Sequence, residues 1–263
     1  AEMVRIAGGV PVIIHTKKEN GFMMTKEELE NAYSAKTKAV VLTTPSNPTG
    51  QVMSRADLEM VAEFAVSHDI LVVSDEIYEK LVYDANAPHI SIASLNPEIA
   101  DLTITCNGFS KTYSMTGWRL GYLTAPLWLA KRIIAFQSHS TSNPTTFVQW
   151  AGITALKEAS ADVERMRKAF AERRDLIYNL ISEIDGVKCI RPQGAFYLFC
   201  DISSFGLKSD EFCERLLAEE MLAVIPGKGF GADGCIRLSY ACSESMIREA
   251  ARRLAKFCAA LRK

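Results

Sequence analysis

No stretch of the chain stays apolar for the roughly 18 positions needed to cross a bilayer, although apolar residues make up 48% of its 263 residues. The apolar runs are short and broken by charge, so no membrane partner is expected. An excess of one charge is missing too: 30 basic against 31 acidic residues leave a formal net charge of -1. No long-range field therefore draws the chain to nucleic acid or to an anionic surface. The seven cysteines (Cys106, Cys189, Cys200, Cys213, Cys235, Cys242 and Cys258) are odd in number and contain no C-x-x-C pair. They read as reduced, mostly buried small side chains of a cytoplasmic protein. The four histidines (His15, His68, His89 and His139) stand too far apart for a short metal-ligand motif, and no metal is expected. Nor is a secretory leader expected, because the charged start Ala1-Glu2-Met3-Val4-Arg5 runs straight into an apolar, glycine-containing segment. The length admits one large domain or two smaller ones.

What is present is an alternation of two patterns. Residues 10–15, 39–43, 70–73, 102–106 and 120–124 are short apolar or β-branched runs that read as strands. Residues 25–35 and 54–67 carry helix formers, with Leu58, Val61, Ala62 and Ala65 at helical spacing. Unbroken apolar strands alternating with amphipathic helices predict an α/β fold, a mostly parallel sheet covered by helices. Residues 126–138, 145–158 and 161–184 read as helices; the last has a charged outer face in which Arg165, Arg167, Lys168, Arg173 and Arg174 interleave with Glu164, Glu172 and Asp175, as a solvated surface does. After Asp185-Gly186 the pattern changes. Strands at 187–190, 195–200 and 235–240, with helices at 209–220 and 244–261, predict a smaller C-terminal α+β domain. The division is placed inside the long helix, with residues 1–170 as the large domain and 171–263 as the small one. The glycine-rich Pro226-Gly227-Lys228-Gly229-Phe230-Gly231 lacks the Lys-Ser/Thr of a P-loop and reads as a flexible turn near a substrate entrance.

Ligands of open α/β sheets gather at the carboxyl ends of the strands. Asn47 follows the run at 39–43, Asp75 closes the run at 70–73 with Tyr78 three residues on, Ser110-Lys111 lies beyond 102–106, and Arg119 stands eight residues after Lys111. Each has an ordinary reading. Asn47 before proline suits a turn, Asp75 can cap a helix over 76–80, Tyr78 can be core, Lys111 can be a surface lysine, and Arg119 can be a buried salt-bridge partner. Together, an amide, a carboxylate, a phenol, a lysine and an arginine at converging strand ends suit a planar, charged cofactor.

In Pro45-Ser46-Asn47-Pro48-Thr49-Gly50, Ser74-Asp75-Glu76-Ile77-Tyr78, Gly108-Phe109-Ser110-Lys111, Met115-Thr116-Gly117-Trp118-Arg119-Leu120-Gly121 and Ile236-Arg237-Leu238-Ser239, the chain resembles the fold-type I pyridoxal phosphate enzymes. Within them it is similar to the class I and II aminotransferases, on the aspartate aminotransferase branch. The resemblance implies pyridoxal 5′-phosphate as cofactor, with Lys111 as the lysine that holds it as a Schiff base and shuttles the proton. It implies Asp75 as partner of the pyridine nitrogen, Asn47 and Tyr78 as donors to the phenolic oxygen, and Ser110 and Arg119 as phosphate ligands. Arg237 resembles the clamp for the substrate α-carboxylate, beside Asn47. The implied reaction moves an amino group between an L-amino acid and a 2-oxo acid by a ping-pong route in a homodimer, with aspartate and 2-oxoglutarate as the default pair. A carbon-sulfur β-lyase on the same fold, a non-catalytic sensing or scaffolding module, and an inactive fragment of such an enzyme stay open.

A full member of that family is longer at the amino end by roughly a third. That part would hold the other side of the phosphate, an aromatic stacked on the pyridine ring and a tyrosine reaching across the dimer. Residues 1–6 also read as the end of a helix with no beginning, stopped by Gly8-Gly9, so the chain is expected to be a fragment or an ordered part of a longer protein. By itself it is expected to bind pyridoxal phosphate weakly and to transaminate little. A titration followed by the cofactor's absorbance checks this, and tight, full occupancy would contradict it.

Overall fold

In the computed structural model, which describes residues 1–84 and 87–262, the chain builds two four-stranded sheets. The first part runs through α1 (Glu2–Ile6), α2 (Lys26–Ala32), β1 (Ala39–Thr43), α3 (Arg55–His68), β2 (Leu71–Asp75), α4 (Pro97–Ala100), β3 (Thr103–Gly108) and β4 (Gly121–Thr124). Helices α5 (Leu127–Ser140), α6 (Thr146–Glu158) and α7 (Ser160–Ser182) follow. The remainder is β5 (Lys188–Cys189), β6 (Tyr197–Asp201), α8 (Ser209–Glu220), β7 (Ile225–Pro226), β8 (Cys235–Ser239) and α9 (Glu244–Leu261).

Strands β1, β2 and β3 are parallel and β4 closes the sheet antiparallel to β3. The register sets Thr43 beside Asp75 and Asp75 beside Cys106, so the three carboxyl ends share one edge. Helix α3 shows why this layer forms. Ser54 accepts from the Asp57 N–H while the Asp57 carboxylate accepts from Ser54 N–H, a reciprocal cap. The helix then buries Leu58, Val61, Ala62, Phe64 and Ala65 against the sheet; each large apolar side chain so enclosed contributes about 1.5–3 kcal/mol. It stops at Asp69, which takes the left-handed conformation at φ 50.

The second sheet has the order β5-β6-β8-β7 and is antiparallel throughout. Its core includes Phe170, Ile177 and Ile181 of α7, Phe212 and Leu216 of α8, and Leu254 and Phe257 of α9. Tyr78, Leu81 and Tyr83, from the loop after β2, belong to the same cluster and tie the two sheets together. The charged face of α7 is a run of short-range ion pairs, Arg165 with Asp162, Arg167 with Glu164 and Arg174 with Asp175. Helix α5 buries no residue, and Trp128, Phe136, Phe147 and Trp150 of α5 and α6 are each 60% exposed or more. Among the described residues, no helix is long and apolar enough to cross a membrane.

Three local expectations are corrected. Residues 10–15 form no strand: Pro11 lacks a ladder donor, Val10 and Val12 are exposed, and no neighbour pairs with them. Residues 77–80 make turns instead of a helix. The glycine-rich segment at 226–231 is no loose turn. It begins with the last residue of β7, Pro226, and continues as a 3-10 helix over Gly227–Phe230, with Lys228 paired to Asp210 at 2.6 Å and Gly227 packed so closely on the Ala232 and Cys235 carbonyls that no Cβ fits.

Gly50 carries the junction between the two sheets. It sits at φ +69, and a Cβ there would meet Pro192 Cβ at 2.6 Å and the Gly194 carbonyl at 2.9 Å. Gly50→Ala is expected to destabilise the chain by more than about 1 kcal/mol in urea denaturation; an unchanged midpoint would contradict this reading of the junction.

Candidate active site

Asp75 is the last residue of β2, half-buried, and its Oδ1 accepts the Ile77 N–H at 3.2 Å. Burial raises its carboxyl above the usual carboxylate range; the Ile77 bond works against this and the neighbouring Glu76 charge adds to it. No cation is paired with it among the described residues. Tyr78 is 3% exposed, and its hydroxyl shares a 2.7 Å hydrogen bond with the Tyr197 hydroxyl. Burial first, then that bond, push the Tyr78 phenol far above its ordinary value, so it is a neutral donor at physiological pH.

Lys111 follows β3 and is half-buried. Its Nζ lies 6.0 Å from the centre of the Tyr78 ring and 5.8 Å from that of Phe196, and it makes no hydrogen bond or ion pair among the described residues. Aromatic faces attract a cation at this range, yet leave its N–H groups free to react. From the second sheet, Arg237 on β8 donates through Nη1 to Asn47 Oδ1 at 2.7 Å. Its guanidinium carbon sits 4.5 Å from the Tyr197 ring centre and 5.1 Å from that of Phe230. Its Nε is buried with no partner. A buried guanidinium N–H left unpaired is costly, and a planar oxyanion placed beside it would satisfy it.

Asn47, Arg237, Tyr197 and Tyr78 thus form one continuous contact series, and Lys111 lies against its Tyr78 end. Among the described residues no hydrogen bond or ring contact joins Ser110 or Arg119 to it. Arg119 is exposed, takes the left-handed conformation at φ 55, and donates to the Thr116 carbonyl at 2.8 Å. It lines an open cleft of about 730 Å³ with Gln137, Asn143 and Phe147. Among the described residues no hydrogen bond joins it to Ser110 or Lys111.

The sequence reading missed Phe196, Tyr197 and Phe230. Tyr197 lies on β6 opposite Ser239, two residues along β8 from Arg237 and on the same face. That relation exists only once β6 and β8 are paired. It also missed the cluster behind Asp75, where buried Glu76 accepts Ser74 Oγ at 3.0 Å and Ser91 Oγ at 2.8 Å and meets His89 Nε2 at 3.0 Å. Glu76, Glu79 and His89 bring metal-ligand atoms within 4.8 Å of one another, but the Glu76 carboxylate is already taken up by these three neighbours.

The donor set fits a carbonyl cofactor with a basic ring nitrogen. Among the described residues a lysine amine is free of hydrogen bonds, a half-buried carboxylate lacks a cation, and an arginine holds a buried N–H without an acceptor. The family described as aminotransferase class I and II matches residues 1–254. An aspartate aminotransferase of Bacillus sp. (strain YM-2) is 49% identical over 97% of this chain and 66% of its own length. An aromatic-amino-acid aminotransferase of Thermococcus litoralis is 43% identical, with the same coverage of 97% and 66%. The crystal structure of an aromatic aminotransferase from Pyrococcus horikoshii superposes with a TM-score of 0.93 at 43% identity, over 96% of this chain and 68% of that one. The chain thus spans just under two thirds, 66%, of the length of the curated relatives it matches.

The raised Asp75 carboxyl has a consequence for stability. The folded chain holds that proton to higher pH than the unfolded chain, so without a cationic partner stability falls as pH rises from the ordinary carboxylate value through the raised one. Asp75→Asn, which keeps an acceptor for Ile77, is expected to remove that fall and to leave the cofactor-free chain at least as stable at neutral pH. Urea midpoints across the acid range check this; a substantial loss of stability at neutral pH would contradict it.

Proposed function

The chain belongs to the class I and II aminotransferases, and on that premise we propose that the whole protein moves an amino group between an L-amino acid and a 2-oxo acid with pyridoxal 5′-phosphate. Aspartate with 2-oxoglutarate is the default pair, the cytoplasm the site of action and a homodimer the working form. One observation carries the reading: Lys111 with a free amine and Asp75 with an uncompensated carboxylate share a strand-end edge, and Arg237 reaches the same edge through Asn47.

Bound there, pyridoxal phosphate supplies a carbonyl that takes up amines and a ring that draws off electrons when the substrate Cα–H breaks. Asp75 would hold the ring nitrogen protonated, and the resulting cation would reverse the burial that now raises its own carboxyl. The Oδ1 of Asn47 is occupied by Arg237, which leaves its amide N–H₂ to donate toward the phenolic oxygen. Tyr78 donates to that oxygen too when Tyr197 gives its proton to the Tyr78 hydroxyl. The ε-amine of Lys111 would remove the Cα proton and return it on the cofactor side, as base and then acid. Arg237 would clamp the α-carboxylate through Nε and its remaining Nη, held flat between Tyr197 and Phe230. Ser110 and Arg119 are proposed for the phosphate on the strength of the motif resemblance.

Two further parts of the reading stand on packing. The boundary between a large cofactor-binding part (1–170) and a small part (171–263) is proposed inside α7, whose Ile177 and Ile181 pack into the second sheet, as does Phe170 at the boundary itself. The apolar side chains exposed on α5 and α6 support an assembly that covers them.

Incubating the whole protein with aspartate, 2-oxoglutarate and pyridoxal phosphate is expected to yield glutamate. Lys111→Ala should lower turnover by about 1,000-fold or more. Pyruvate release from cystathionine with no glutamate formed would place the protein among carbon-sulfur lyases instead.

A further inference from the structure

Cys189 and Cys200 stand directly opposite each other in the antiparallel pair β5 and β6. Residues so placed have Cα atoms about 4.5–5.5 Å apart, inside the span a disulfide bridges. Directly opposite residues put their side chains on the same face of the sheet, so the two thiols are neighbours across the strand pair. Cys235, by contrast, is opposite Asp201, the next residue along β6, and therefore faces the other side of the sheet.

The two thiols are unequal. Cys200 is fully enclosed, whereas Cys189 is half-buried on the strand at the edge of the sheet. The neighbouring Cys200 thiol holds the Cys189 thiol below its ordinary range, and burial holds the Cys200 thiol well above it. Burial likewise raises Cys106, Cys213, Cys235, Cys242 and Cys258. Cys189 is thus the reachable, more readily ionised thiol, with a second cysteine directly opposite it across the strand pair.

We propose that Cys189 and Cys200 form a peroxide-responsive site that closes to a reversible disulfide. The Cys189 thiolate attacks hydrogen peroxide, an S–O bond forms, the O–O bond breaks, and one water leaves. The Cys200 sulfur then attacks the Cys189 sulfur, the S–S bond forms, the S–O bond breaks, and a second water leaves. Two thiols and one peroxide become one disulfide and two waters; each sulfur gives up one electron and the peroxide takes both.

The bond would staple the base of the hairpin whose connecting stretch supports the site. Gln193 and Gly194 in that stretch both donate to the Gly50 carbonyl at 2.8 Å, and Phe196 and Tyr197 follow them into the contacts around Lys111 and Arg237. The proposal is independent of the aminotransferase reading, since it requires neither cofactor nor substrate.

The test is a chymotryptic map of the chain after a short exposure to hydrogen peroxide, under non-reducing conditions. Cleavage at Phe196, Tyr197 or Phe199 separates the two cysteines. The expected product is a Cys189–Cys200 linked peptide that a dithiol reductant dissolves, and Cys200→Ala should leave Cys189 as a sulfenic acid trapped by dimedone. Oxidation of Cys189 to sulfinic acid without the linked peptide, or preferential oxidation of another cysteine, would overturn it. Both readouts in the unsubstituted chain are free of any folding defect in the variant.

Discussion

Gln193 and Gly194 both give their backbone N–H to the carbonyl of Gly50 at 2.8 Å, and the site depends on that junction. The loop after β1 belongs to the first sheet and the 190–196 stretch to the second. The junction is reinforced by Gln193 Oε1, which accepts from the Val52 N–H at 3.1 Å, and by Ala195 N–H, which donates to Leu81 at 2.9 Å. With the two sheets fixed there, Asn47 from one meets Arg237 from the other, and Tyr197 meets Tyr78. Each pairing crosses more than 100 residues of sequence, and neither would persist if the junction slipped by one residue, because a one-residue slip turns every side chain of a strand to the opposite face.

The charges at this junction are arranged for a ligand more than for the free chain. Among the described residues, Asp75 is half-buried without a cation, Arg237 has a buried N–H without an acceptor, and Lys111 is held only by aromatic faces. Left alone, the first two are costs to stability. A ligand with a protonatable ring nitrogen, a carbonyl and a carboxylate answers all three groups at once. Local destabilisation of this kind is the expected signature of a binding site, where free energy released on binding offsets what folding leaves unsatisfied.

Much of the fold was legible because the first sheet contains short apolar runs and the helices carry helix formers or apolar residues at helical spacing. Residues 39–43 are the observed β1, residues 209–220 and 244–261 are the observed α8 and α9, and Thr25 and Ser54 cap α2 and α3. Asn47, Asp75 and Lys111 could be found as a group because each stands at or just past a strand end that the sequence shows. Tyr197 and Phe230 could not, since their relation to Arg237 is set by the pairing β6-β8-β7, which no single run of sequence shows. Residues 10–15 misled in the opposite sense: β-branched residues favour a strand only where a partner edge exists. The motif around Ser110 and Arg119 is plain in sequence, yet the described contacts hold Arg119 on the Thr116 carbonyl and do not join it to Ser110.

The central claim is that the amine of Lys111 is the group to which a carbonyl cofactor attaches, and chemical trapping tests it most directly. The chain is equilibrated with pyridoxal phosphate, reduced with borohydride and digested, and the modified lysine is located by mass spectrometry. Reduction fixes even a sparsely populated attachment, so the result does not depend on tight binding. The account predicts one dominant pyridoxyl-lysine, at Lys111. Labelling spread over exposed lysines such as Lys80 and Lys168, with Lys111 no more modified than they are, would contradict it.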